Sequence, residues 1–387
     1  MRKVYVDYNA TTPLAPEVKA AMARDMEIFG NASSMHSSGR AARDRIERAR
    51  EEVAALVGAD DGKIVFTSGG SEANNTVFQT ARRLALKDKK RNEIIISAVE
   101  HPCVLNSALN LKNDGFNVKI IPVDAFGKLD MDEYRKSLGE KTLLVSVMAA
   151  NNEIGTVQDI ARVASLAGEA GALTHTDAVQ LAGKTPVSAR NLAVDYMTVS
   201  AHKIYGPKGV GALYVKNGAP LFPLIHGGHQ EDGLRAGTYN NLGILGFGEA
   251  ARLALASVDK YAPAMSPLRE KLKDGLTEKI PNIKINGHPA DCLPNTLNVS
   301  FPGAEGEAIL LSMDMMGIEA STGSACASGS LEPSHVLMAT GLQPYFAHGS
   351  IRFSLGWGIN ELDIDYILNT LPPIIARLRA MSTSPGT

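Results

Sequence analysis

From Lys63 to about Val215, short apolar runs alternate with longer amphipathic stretches. IVFT is followed by SEANNTVFQTARRLAL, EIIIS by CVLNSALNLKNDG and LLVSVMAA by IARVASLAGEAG, with NVKIIPV, ALTHTDA, VDYMTVS and GALYV as further apolar runs. The short runs have the length and β-branched content of buried strands, and the longer ones carry apolar residues at helical spacing. Such alternation predicts an α/β fold: a largely parallel sheet covered by helices on both faces, with ligands gathered at the carboxyl ends of the strands. After about Leu255 the texture changes. A charged helical stretch around SPLREKLKDGLTEK, strand-like alternation in NTLNVSFPG and GSIRFSLGWG, and a last helix near Asp363 to Leu378 predict a smaller α+β unit.

The chain has 387 residues. That exceeds the roughly 250 to 300 at which a single core stops growing, so two domains are expected. We divide it into a large domain over 16–255 and a small one built from 1–15 and 256–387. Hydrophobic residues make up 44% and charged ones 21%, with a net charge of -2. This is ordinary globular composition and selects neither a nucleic-acid nor a membrane partner. MRKVYVDYNATTP breaks at once into polar residues and proline, and no 18-residue apolar span follows, so a cytoplasmic protein is expected. Cys103, Cys292 and Cys326 are too few and too far apart for a disulfide framework or a zinc knuckle. His226 and His229 in HGGH have no third ligand nearby, and no metal site is expected.

The predicted strand ends carry the chemistry. IVFT runs into TSGGSEANN, where Gly69 and Gly70 allow a tight turn and Ser71 opens a helix, an arrangement that can seat a phosphate. EIIIS leads to His101, LLVSVMAA to Asn152, ALTHTDA to Asp177 with Gln180 three residues later, and VDYMTVS to Ser200, His202 and Lys203. Each has a plain alternative: His101 as a helix cap, Asp177 as an N-cap, Asn152 as a turn former. Their joint arrival on one edge argues for a site. A phosphate seat, a carboxylate, a flat imidazole and a lysine on adjacent strand ends are what pyridoxal phosphate requires: the lysine amine for covalent attachment and the carboxylate for the ring nitrogen. Lys208, in the GPKG turn, is assigned a structural or solvated role.

DYNATTP (7–13), TSGGSEANN (67–75), EHPCV (100–104), NNEIGTVQ (151–158), HTDAVQ (175–180), SAHKIYGPKGVG (200–211), HGGHQEDGLRAGT (226–238), STGSACAS (321–328) and SIRFSLG (350–356) occur in order, and in this the chain resembles cysteine desulfurases of the NifS/IscS type over nearly its whole length. The resemblance implies a pyridoxal-phosphate enzyme of fold type I, with a mostly parallel seven-stranded sheet in the large domain. It implies conversion of L-cysteine to L-alanine with transfer of the sulfur to Cys326 as a persulfide. Lys203 would carry the cofactor, Asp177 face its ring nitrogen, Gln180 donate to its phenolic oxygen and His101 stack on the ring. Gly70, Ser71, Ser200 and His202 would hold its phosphate, Thr238 reaching it from the other subunit of a homodimer. Asn152 would bind cofactor oxygen and, with Arg352, the substrate.

The implied partner is an iron-sulfur scaffold protein of the IscU/NifU type, with other thio-cofactors or a tRNA-thiolating protein as further sulfur destinations and a transient contact of Cys326 with a cluster. In some relatives a C-terminal tail helps dock the scaffold; here no long extension follows the last helix. The chain also departs from the pattern at Ala32 in GNASS, commonly proline. The rivals are a selenocysteine lyase or another fold type I enzyme, and a non-catalytic assembly subunit; GSAC around Cys326 and the presence of Lys203 speak against them.

Overall fold

The computed structural model describes residues 2–88, 90–323 and 333–381. After a short strand β1 (Val4–Tyr5), a sheet is built from β2 (Gly62–Thr67), β3 (Glu93–Ser97), β4 (Asn117–Ile121), β5 (Thr142–Ser146), β6 (Leu173–Asp177), β7 (Tyr196–Ser200) and β8 (Gly211–Lys216). Its spatial order is β2-β8-β7-β6-β5-β3-β4. All pairs are parallel except those made by β8, which runs antiparallel to β2 and β7. The reversal has a local cause: β7 ends at Ser200 and β8 begins at Gly211, too close for the crossover of a dozen or more residues that a parallel neighbour needs.

Every residue of β3, β5 and β7 is buried, as expected for strands covered on both faces. Alternate residues feed two cores. Ile64, Phe66, Ile95 and Val145 join one apolar cluster, whereas Val65, Ile94, Ile96 and Leu144 join another on the opposite face.

A second sheet follows. β9 (Lys284–Asn286), β10 (Thr296–Ser300), β11 (Ile318–Glu319) and β12 (Ser350–Ser354) come later in the chain; β10 lies between β12 and β9 in an antiparallel sheet, and β11 pairs with β1. Val4 and Val6 share a core with Leu297, Val299, Ile351 and Phe353. Between the two sheets runs one helix, Asn241–Lys279. Its first half buries Ile244, Phe247 and Ala251 against the large sheet and its second half buries Tyr261, Leu272 and Leu276 against the small one. The sequence pattern predicts only its later part, around SPLREKLKDGLTEK, and the helix runs through Pro263 and Pro267 as well. Both lie on the exposed side four residues apart, where water can satisfy the carbonyls they leave unpaired. We propose that the division between the two units lies inside this helix, where its buried face changes cores.

Candidate active site

The parallel strands deliver their following residues to one edge of the sheet, and a cavity of about 230 Å³ opens there. Its walls take Gly70 and Ser71 from the start of the helix Gly70–Lys87, His101 and Asn152 from beyond β3 and β5, Asp177 and Gln180 from β6 and the turn after it, and Ser200, His202 and Lys203 from the end of β7. Arg352 enters from β12 of the small sheet. These residues are brought together. Thr238 is not: it is exposed and lies outside this cavity of its own chain. Cys326 lies outside the described residues.

Asp177 is buried; its Oδ1 accepts from Val179 N at 3.0 Å and its Oδ2 from Asn74 Nδ2 at 2.7 Å, which fixes the carboxylate in the cavity wall. Lys203 Nζ donates to the carbonyl oxygens of Asn9 at 2.5 Å and Ala10 at 2.8 Å. Arg352 is almost fully buried. Its Nη2 pairs with Asp7 at 2.6 Å, its Nη1 donates to Gly323 O and to Asn152 O, and its buried Nε has no partner among the described residues. A donor held in this way beside a cavity suits an incoming carboxylate.

His101 caps the helix Pro102–Leu111, its Nδ1 accepting from Cys103 N at 3.2 Å. Burial lowers its pKa below the usual imidazole value, against the pull of Asp177. In a neutral ring whose Nδ1 accepts, the proton sits on Nε2. Cys103 also lines the cavity, with Sγ 2.9 Å from that same Nδ1. Burial, aided by Asp177, pushes its thiol up to about 12, so it stays protonated and is no nucleophile.

The residues present fit pyridoxal phosphate. A helix N-terminus with Ser71, Ser200 and His202 faces one end, the Asp177 carboxylate stands in the wall, and the Lys203 amine lies at the mouth of β7. The buried Oδ1 of Asn74 and Nε of Arg352, both on residues lining the cavity, await polar partners. Asn9, Asn74 and Cys103 were not anticipated. Asn9 lies in DYNATTP, far from the strand ends in sequence; Asn74 sits one turn into its helix and Cys103 at the start of the next.

Buried titratable groups next to the site make stability depend on pH. Burial pushes His175, held between Ser146 and Thr198, down to about 4; burial, with Lys203 and Lys208, does the same to His202. Both bind protons near the usual 6.5 when unfolded, so their contribution is present above 6.5 and lost as pH falls through 4. Glu100 behaves oppositely. Fully buried, with Oε1 bonded to Ser97 and Met148 N and Oε2 unpartnered among the described residues, it is pushed up to about 8. Its contribution is full below 4.5 and lost as pH rises through 8. Taken by themselves these three groups favour a stability maximum near 6.5, each proton adding a slope of about 1.4 kcal/mol per pH unit, with Lys184, held below the usual lysine value, opposing Glu100 on the alkaline side. Denaturation midpoints from pH 4 to 9 read this directly; Glu100→Gln should flatten the alkaline flank and His175→Gln the acid one, and a Glu100→Gln profile unchanged above 6.5 would rule out a protonated Glu100.

The chain matches the family model described as aminotransferase class-V over residues 4–367. It is 49% identical over 385 residues to a cysteine desulfurase of Gluconacetobacter diazotrophicus, covering 99% of this chain and 96% of that protein. It is 47% identical over 383 residues to the cysteine desulfurase IscS of Dictyoglomus turgidum, covering 98% and 96%. A solved structure titled NifS-like protein superposes with a TM-score of 0.90 at 38% identity, over 97% of this chain and 100% of that one.

Proposed function

The chain belongs to the aminotransferase class-V family, and from that premise we infer that it is a cysteine desulfurase, a pyridoxal-phosphate-dependent enzyme that converts L-cysteine to L-alanine and takes the sulfur onto Cys326. The observation that carries the reading is the convergence of Lys203, Asp177, His101, Gln180 and Arg352 on one cavity. Lys203 would hold the cofactor covalently, Asp177 its ring nitrogen and Gln180 its phenolic oxygen, with His101 on the ring face and Gly70, Ser71, Ser200 and His202 around the phosphate. Asn152 would bind cofactor oxygen and substrate. Bound pyridoxal phosphate supplies the electron sink for the charge that develops when the substrate's α-proton leaves.

The chain's own residues then divide the remaining work. Arg352 Nε binds the substrate carboxylate while Asp7 and the backbone hold the rest of the guanidinium still. Lys203 Nζ takes the α-proton, oriented by the Asn9 and Ala10 carbonyls. His101, neutral with its proton on Nε2, passes a proton to or from the substrate. The Cys326 thiolate bonds to the substrate sulfur as the Cβ–S bond breaks, and a proton returns to carbon. Cysteine and one thiol thereby become alanine and one persulfide, with atoms and electrons in balance.

Thr238, exposed on its own chain, is proposed to complete the phosphate site of a second copy in a homodimer. We further propose delivery of sulfur to an iron-sulfur scaffold protein in the cytoplasm; no helix among the described residues is long and apolar enough to cross a membrane. The test is a visible absorption spectrum of the purified protein, followed by L-cysteine with alanine and protein-bound sulfane sulfur assayed together. A yellow protein giving the two in equal amounts is expected. Keto acid in place of alanine would move the chain to the transaminases, and a colourless protein that cannot take up pyridoxal phosphate would overturn the reading.

A further inference from the structure

Lys184 is 3% exposed and enters no ion pair among the described residues. Its setting is costly, because a buried ammonium forfeits several kcal/mol of hydration. Burial, with the positive charges of Lys203 and Arg352 added, holds its pKa well below the usual lysine value. An apolar side chain would sit there at less cost, so what the lysine donates to is informative. Nζ reaches two amide oxygens, Gln180 Oε1 at 2.7 Å and Asn9 Oδ1 at 2.9 Å.

These two contacts, with Asn295 Nδ2 donating to Asn9 Oδ1 at 3.2 Å, decide which way both amides face. With Oε1 turned to Lys184, Gln180 must present its NH₂, one N–H of which donates to Asn9 O at 2.9 Å. Gln180 lines the cavity, so only its donor side is available there. With Oδ1 turned to Lys184, Asn9 donates through Nδ2 to Thr296 Oγ1 at 2.8 Å and Asn152 O at 3.1 Å. The Asn9 carbonyl receives both Gln180 Nε2 and Lys203 Nζ. One chain of donors therefore runs from Lys184 through Gln180 to the carbonyl that orients Lys203.

We propose that Lys184 is a positioning residue that locks Gln180 as a hydrogen-bond donor toward the cofactor's ring oxygen and sets Asn9 as the platform for Lys203. The proposal rests on the reading of Gln180 as donor to that oxygen. A free amide could turn its own oxygen toward an oxygen that carries negative charge, and the interaction would change sign.

The experiment uses full-length protein with Lys184→Met, Gln180→Leu and the double variant. Three quantities are read: the Kd for pyridoxal phosphate from titration of the cofactor-depleted protein, the pH midpoint of the visible band, and Tm. The charged and titratable groups lining the cavity are His202 and Lys203 after β7, His101 and Cys103 after β3, Asp177 on β6 and Arg352 on β12, the last paired with Asp7 beyond β1. None is altered in these variants.

Lys184→Met is expected to leave Tm close to parental, because relief of a buried amine offsets the acceptor left unpaired on Gln180. It should nevertheless weaken cofactor binding about ten-fold and move the band midpoint by about one pH unit in the same direction as Gln180→Leu, as loss of a hydrogen bond to a charged group does. The double variant should be no worse than Gln180→Leu alone. Parental Kd and midpoint in Lys184→Met, alongside clear shifts in Gln180→Leu, would overturn the proposal and leave Gln180 in place. No shift in either would remove both. Should Lys184→Met not fold, Lys184→Leu is read the same way.

Discussion

Replacing Lys203 by alanine is expected to bleach the visible absorbance of the protein and to lower alanine formation from cysteine by at least ~10³-fold, since it removes both the covalent anchor and a general base. The geometry explains why no neighbour compensates. Lys203 Nζ is directed by two carbonyls, Asn9 O and Ala10 O, whereas Lys184 is buried beyond Gln180 with its Nζ turned to amide oxygens. Lys208 is exposed and does not line the cavity. The measurement is an absorption spectrum after incubation with pyridoxal phosphate and extensive dialysis, with alanine quantified in parallel. Retained colour after dialysis together with parental turnover would remove Lys203 from both roles.

Cys326→Ser is expected to separate binding from transfer. The variant should stay yellow and bind cysteine, yet form no protein-bound sulfane sulfur, a loss of at least ~10²-fold, because a hydroxyl neither ionises near neutral pH nor accepts sulfur as a thiolate does. Cys326 itself lies outside the described residues, but the residues on either side of the undescribed segment are tied to the site. Gly323 O accepts from Arg352 Nη1, and Ser334 Oγ donates to the buried carboxylate of Glu153 at 2.5 Å. Cys103 and Cys292 do not stand in for it. The Cys103 thiol is kept protonated by burial, and Cys292 Sγ accepts from Arg269 away from the cavity. Sulfane sulfur on the Cys326→Ser protein at the parental rate would mean that another acceptor carries the sulfur.

Much of the site could be read from single residues, and the reason is geometric. Parallel strands all point the same way, so polar residues just past IVFT, EIIIS, LLVSV, ALTHTD and VDYMTVS must arrive at one edge of the sheet. Arg352 and Cys326 are different. They follow from the resemblance, since no periodicity in SIRFSLG or STGSACAS says that the small unit faces that edge.

By itself, then, the sequence determined the α/β alternation, the buried strands and the list of strand-end groups, because these depend on local pattern and on the one direction of the strands. Only the tertiary structure decided that one helix spans both units, that Asn9 approaches Lys203 from 194 residues away and that Asp7 grips Arg352. It also decided the fate of Lys184. Nothing in its local sequence marks it out, and its burial and its pairing with Asn9 depend on a chain segment far away in sequence. The strength of a charge and the direction of an amide are set by what surrounds them, and those surroundings exist only once the fold has closed.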